Sequence, residues 1–230
     1  VRLAMEDKVQ RPQLTMTWPG VQMAHEDAAA LSMLAQVLSA NKAALLDKAL
    51  SIDETLVDYV TAYHLAAEQA GEFAVSVRPV GGVSLDELEN RIRSILAELA
   101  VNGVEQERLD RLKARYEAST INRFETASSR TSALCEANTF FGDPAEATRN
   151  LREMLAVTPS DVVRVLNRYV LDQPAILMSV VPEERLDMVA RGRTEEQVLV
   201  EEDFDRSRQP HSSPSTPFKA PRIWHDTLAN

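Results

Sequence analysis

The sequence predicts an α+β fold, an antiparallel or mixed sheet packed against several helices, and three observations predict it. The first is Leu46 to Gly82, where a helix end leads into two strand-like runs. Apolar Leu56, Val60 and Ala62 lie before a turn around Ala67 to Gly71, and after it Phe73, Val75 and Val77 alternate with polar residues. That is the pattern of an antiparallel hairpin with a longish loop. The second is a run of amphipathic helical segments from Ser84 to Val170. The third is a pair of strand signals placed far apart, Leu14 to Trp18 and Ala175 to Val181. Along the chain the pattern is strand, helices, two strands, many helices, then strand.

In chain order, residues 1–11 are too polar to assign. Leu14 to Trp18, LTMTW, alternates apolar and polar side chains as a strand, and Pro19-Gly20 is expected to close it as a turn. Glu26 to Leu38 carries Leu31, Leu34, Val37 and Leu38 at helical spacing behind an acidic start, which predicts an amphipathic helix. A shorter helix is expected over Lys42 to Leu50. After the hairpin, Ser84-Leu-Asp-Glu supplies an N-cap and an acidic first turn for a helix to Ala100, and Asn102-Gly103 stops it. Val104 to Phe124 is a second long helix, expected to pack antiparallel to the first. Segments Ser128 to Phe141, Ala145 to Leu155 and Pro159 to Val170 are helical, the last with Thr158 as N-cap and Pro159 in its first turn. Ala175 to Val181, between Pro174 and Pro182, reads as a buried strand.

The chain divides at about residue 190. Residues 1–190 form the predicted domain; residues 191–230 are first acidic, Glu195 to Asp205, then rich in Ser and Pro, Gln209 to Pro221, with aromatic anchors Phe218 and Trp224. Such a segment has too little apolar surface for a core and reads as a linker leading to a following domain, so the chain is expected to be a piece of something longer.

Composition excludes several functions. The chain has 230 residues, 44% of them hydrophobic, which is enough to close a core. A net charge of −10 sets it against nucleic acid and anionic membranes, whose phosphates it would repel. No apolar run is long enough to span a bilayer, so membrane insertion is not expected. A single cysteine, Cys135, excludes an internal disulfide and a multi-cysteine zinc site; among Leu134 and Phe141 it reads as a buried structural thiol.

Chemistry-bearing patterns are sparse. His25, His64, His211 and His225 are too far apart to share a helix face as zinc ligands. His25-Glu26-Asp27 places an imidazole beside two carboxylates, but at a helix start the acids are read as charges on the helix dipole. His64 is expected to be solvated on the hairpin loop. No Gly-x-Ser-x-Gly elbow occurs. Gly81-Gly82 sits between strand and helix but lacks the further glycine and lysine of a phosphate loop. Asp53-Glu54 offers too few oxygen ligands for calcium.

The order of elements and the wording of QLTMTWPG, DAAALSMLAQVLS and the stretch from LLDKALSIDETL to VGGVSLDELE resemble a domain of the M16 zinc metallopeptidases, the insulinase and pitrilysin family that includes mitochondrial processing peptidase. The similarity covers about residues 1–190, with Leu46, Leu50, Leu56, Gly71, Phe73 and Pro79 at its most specific points. It implies the LuxS/MPP-like metallohydrolase fold, paired domains forming a clamshell around a peptide chamber, and, from the connector-like residues 217–230, the second place among four domains. The family's His-x-x-Glu-His zinc motif is missing here, so no cofactor is implied for this fragment and zinc is expected in the first domain of the parent protein. Active relatives also hold the substrate carbonyl with an Arg and a Tyr; alignment on Leu46, Leu50 and Leu56 puts Ser51 at the first position and Asp58 at the second. An ionised Asp donates no hydrogen bond and would repel an oxyanion. Tyr59 is adjacent, but strict strand alternation would turn it to the opposite face. The resemblance therefore implies a non-catalytic domain whose partners are other domains of the same polypeptide and a peptide substrate. It favours a periplasmic location, and leaves as alternative the scaffold domain of a wholly inactive homologue.

Overall fold

The computed structural model describes residues 1–192, so the expected linker lies, from residue 193 onward, outside the described residues, with His211, Phe218, Trp224 and His225. Five strands form one sheet in the order β1-β5-β2-β4-β3: β1 Arg2–Asp7, β2 Gln13–Gly20, β3 Val57–Ala66, β4 Gly71–Pro79 and β5 Ile176–Pro182. The sheet is mixed, because β1 runs parallel to β5 while every other pair is antiparallel. The helices are α1 Ala28–Leu38, α2 Leu85–Asn102, α3 Gln106–Arg123, α4 Ala127–Phe141, α5 Arg149–Ala156 and α6 Pro159–Tyr169.

Alternation along the strands builds the core. Leu14, Met16 and Trp18 of β2 lie opposite Val77, Val75 and Phe73 of β4, all fully buried against the helices. Trp18 and Phe73 meet with ring centroids 6.2 Å apart in a tilted arrangement. Upon this face lies α1, whose Leu31, Met33, Leu34, Val37 and Leu38 are all buried, so it is apolar almost all round. A helix of that kind must be covered on both sides, and here β3 covers one while α3, α5 and α6 cover the other.

Several expectations are corrected. The polar start of the chain holds β1, an edge strand whose one neighbour among the described residues, β5, comes from their far end. Pro19 and Gly20 do not turn; they continue β2 opposite Glu72 and Gly71. Beyond Thr17, β5 no longer flanks β2, so the missing N–H of Pro19 leaves no bond unmade on that side. Gly20 and Gly71 are required by close approach, since a Cβ on Gly71 would stand 2.2 Å from the Val21 carbonyl oxygen. The helix expected over Lys42 to Leu50 is displaced to a π-helical turn, Asp47–Asp53, which buries Leu50. The strand β5 is buried on alternate residues only.

Helices α2 and α3 are not an antiparallel pair. Gly103, with φ +73°, stops α2 after an N-cap in which Ser84 accepts from the Glu87 N–H. The chain is then redirected so that α3 packs on α1 and α5 through Leu109 and Leu112, while α2 packs on α6 and the sheet. At Thr158 the expected cap is a full capping box with Asp161. Cys135 is exposed rather than buried: α4 buries only Ala133 and Ala137, one turn apart, and Cys135 lies between them on the other side of the helix.

Candidate functional site

On the outer face of the sheet, away from the helices, the hairpin β3–β4 carries Asp58, one of the two expected site positions. A register shift between Val57 and Tyr59 marks a β-bulge at Asp58. A bulge sets two residues of one strand against one of its neighbour and re-aims their side chains. Here the one is Arg78 of β4. Its Nε donates to Asp58 Oδ1 at 2.8 Å, and its guanidinium carbon lies 5.6 Å from the centre of the Tyr59 ring. Asp58 and Tyr59 thus share a side, contrary to strict alternation, because both engage the same arginine. The other Asp58 oxygen accepts from Arg11, just before β2.

The result is a shallow hollow of about 460 Å³, lined by Val9, Gln10, Arg11, Gln13, Asp58, Arg78 and Val180. Beside it Gln13 Nε2 donates to Ser76 Oγ at 2.9 Å, and Thr15 Oγ1 lies 3.0 Å from the same oxygen. Chemically, the hollow offers two guanidiniums already committed to a carboxylate. Ser51 is not part of this group: it is half-buried on the π-helical turn. The participation of Arg11 and Arg78 was not anticipated. The signal for Arg78 was present in the hairpin itself, since the register that buries Phe73, Val75 and Val77 turns Arg78 outward beside Tyr59.

The remaining sequence candidates separate. Asp27 does not act on its helix dipole. Its carboxylate is fully enclosed and accepts from Arg164 Nη1 at 2.6 Å, Tyr169 Oη at 2.7 Å and Arg168 Nη1 at 3.2 Å, tying α1 to α6. Burial alone would raise its pKa, but the Tyr169 and Arg164 hydrogen bonds and the charges of Arg164 and Arg168 hold it below the ordinary aspartate value. His25 Nδ1 instead accepts the Asp27 N–H at 3.0 Å. His64 is not on a loop: the turn is confined to residues 67–70, closed by Ala67 N–H to the Ala70 carbonyl, so His64 belongs to β3 opposite Phe73. Its Nδ1 lies 3.1 Å from Ser32 Oγ of α1. Burial lowers its pKa more than the nearby Ala28 and Val21 carbonyls raise it. Gly81-Gly82 leads into α2, whose first turn carries Asp86 and Glu87, charges that repel a phosphate. Asp53 pairs with Lys48, and Glu54 with Arg91. Among the described residues no group of three or more His, Cys, Asp or Glu side chains could hold a metal ion. Nor is any described helix long and apolar enough to cross a membrane.

Comparison with known proteins bears on the family and the fold. The profile of the family described as "Peptidase M16 inactive domain" matches residues 1–116. No curated protein matches the chain in sequence. Among solved structures, a protease from Helicobacter pylori superposes with a TM-score of 0.71 at 20% identity, over 79% of this chain and 44% of that one. The M16 peptidase inactive domain from Pseudomonas fluorescens gives 0.67 at 17% identity, over 84% of this chain and 45% of that one. The inactive peptidase domain from Bordetella parapertussis gives 0.67 at 17% identity, over 79% of this chain and 98% of that one. This chain therefore spans less than half the length of the first two and nearly all of the third. At these identities the superpositions show a shared fold. With the profile covering half of its length, the chain belongs to the M16 peptidase family as an inactive-type domain.

Proposed function

We propose that this chain is the structural and substrate-chamber domain of an M16-type zinc-dependent endopeptidase, second of four, working beside a zinc-bearing domain supplied elsewhere in the same polypeptide. The observation that carries the reading is Asp58. The position expected for an oxyanion donor holds a carboxylate, and Arg11 and Arg78 on either side of it neutralise it instead of facing the hollow unpaired. An ionised aspartate in that position donates no hydrogen bond to a developing oxyanion.

Two further features suit a chamber wall. Among the described residues, α1, α2 and α6 pack on the sheet, whose buried alternate residues Leu14, Met16, Trp18, Phe73, Val75 and Val77 lie on one face. The other carries exposed Tyr59, Tyr63 and Leu65 at one edge and Met5 and Ile176 near the other. The strand β3 is a ten-residue edge, and an extended peptide can add to such an edge through main-chain hydrogen bonds.

The test uses the purified chain with a mixture of unstructured peptides, with and without a zinc chelator. No chelator-sensitive cleavage and no stoichiometric zinc are expected from the chain alone, and either one would overturn the reading. The polypeptide preceding Val1 decides between peptidase and assembly roles: an intact His-x-x-Glu-His there is expected, and its loss would favour the scaffold of a wholly inactive homologue.

A further inference from the structure

On the helical side of the molecule, α3 places Arg108, Arg111 and Arg115 along one stripe at helical spacing. Beside them runs the segment that follows α1. Arg108 Nη1 donates to the Ala43 carbonyl at 2.7 Å, and Arg115 Nη1 to the Ala40 carbonyl at 3.0 Å. Each bond uses one of five guanidinium N–H groups. Among the described residues neither arginine has a carboxylate within ion-pairing distance, and Arg111 pairs only with Glu107, an exposed residue of its own helix. Between the three lies a hollow of about 310 Å³ with Val37, Ala44 and Leu112 as apolar lining and Gln36 and Asn41 as neutral polar groups. Among the described residues no carboxylate lines it, in a chain whose net charge is −10.

We infer that this hollow is a binding site for a small oxyanion, a phosphate group or a compact polycarboxylate, held by Arg108, Arg111 and Arg115. The guanidinium is a planar fork that matches two oxygens of such a group at once. Two of the three forks are already fixed by main-chain carbonyls, so binding does not have to immobilise them. The Gln36 and Asn41 amides can complete the donor set, and the Leu112 and Val37 side chains keep water from one wall, which strengthens the attraction. Fastening of the segment at 40–44 accounts for Arg108 and Arg115 but not for Arg111, which makes no bond to it and still lines the same hollow. The site lies among α1 and α3, in the helical layers, and is independent of the chamber role proposed for the sheet.

The experiment is an NMR titration of the isotopically labelled 230-residue chain, first with inorganic phosphate, then with citrate, each against sodium chloride at matched ionic strength. Saturable shifts are expected for the three arginine Nε–H signals and the Gln36 and Asn41 amides. Saturation by phosphate alone assigns a phosphate-bearing ligand, and saturation by citrate alone a carboxylate-bearing one; both support the site. Arg111→Gln leaves both bonds to the 40–44 segment in place, so it should keep the melting temperature while weakening binding by about fivefold or more, the order expected for one charge-assisted contact. Shifts matched by chloride, no saturation with either anion, or unchanged affinity in a folded R111Q chain would each overturn the inference.

Discussion

Asp27 shows how one side chain can hold two distant parts of a chain together. It is enclosed, ionised and shared by Arg164, Arg168 and Tyr169, over a hundred residues away in sequence. Because the two arginines remain partly in water, removing the carboxylate strands the Tyr169 hydroxyl more than it strands a charge. Asp27→Ala should therefore cost about 2–3 kcal/mol in urea unfolding at neutral pH, the range for charge-assisted hydrogen bonds. The sign of the pH dependence follows from the shifts. Asp27 has a folded pKa below its ordinary 3.8, so its contribution is complete above that value and is lost as pH falls through it. Tyr169 is pushed up to about 12 from 10.0 by burial and by Asp27, so its contribution is complete below 10.0 and disappears as pH rises towards 12. Asp27→Asn should remove the acid limb of the stability–pH curve and shrink the alkaline one, which the burial of Tyr169 partly keeps; a variant with both limbs unchanged would show that the hub is not what titrates. Cys135 makes a simpler case. Being exposed on α4, it should react with a disulfide reagent, one thiol per chain, without denaturant, and a reaction that waits for unfolding would contradict its placement.

At the scale of elements, β1 is an edge strand at one side of the sheet. It has one neighbour in the sheet, β5, and a second tie through Arg2, whose guanidinium meets Glu89 of α2 with two bonds of 2.7 and 2.9 Å. Glu89 is buried and also accepts from Arg93 at 2.9 Å. Burial works to raise its pKa, but the Arg2 and Arg93 bonds outweigh it and hold it low. Since strand edges open locally before the core does, Arg2→Ala should raise amide exchange in residues 2–7 by about tenfold, which is roughly 1.4 kcal/mol of local opening. Exchange in β2 and β4 should stay unchanged. Equal acceleration throughout would mean that β1 is integral to global stability. The hairpin β3–β4 shows the opposite situation, with its turn, register and buried face all consistent with each other, and its one irregularity at Asp58.

Among the described residues, helices cover one face of the sheet and the other carries exposed apolar side chains, with Met5 and Ile176 each 47% exposed and Leu65 58%. Patches of this kind mark contact surfaces. The purified chain should self-associate as its concentration rises, and the double variant Met5→Thr with Ile176→Thr should sediment as a monomer at those concentrations. Its unfolding free energy should change by no more than about 0.5 kcal/mol per site, as for ordinary surface positions. Unchanged association in the double variant would place the contact elsewhere.

The sequence by itself determined the fold class, the hairpin, and most helices and their caps, because apolar spacing, turn residues and capping groups are local signals repeated over many positions. Ser84, Thr158 and Gly103 act where their chemistry predicted. The resemblance carried in Leu46, Leu50, Leu56, Gly71, Phe73 and Pro79 led to the family. Tertiary structure alone decided what depends on partners far away in the chain. The strand β1 is polar and short, and becomes a strand only because β5 lies beside it. Asp27 reads locally as a dipole charge, and only the packing of α6 makes it a buried hub. Tyr59 follows strict alternation until a bulge, opposite Arg78, turns it to the same side as Asp58. In each case periodicity reports which face of its own element a residue occupies, whereas charge pairing and register depend on which other element arrives there.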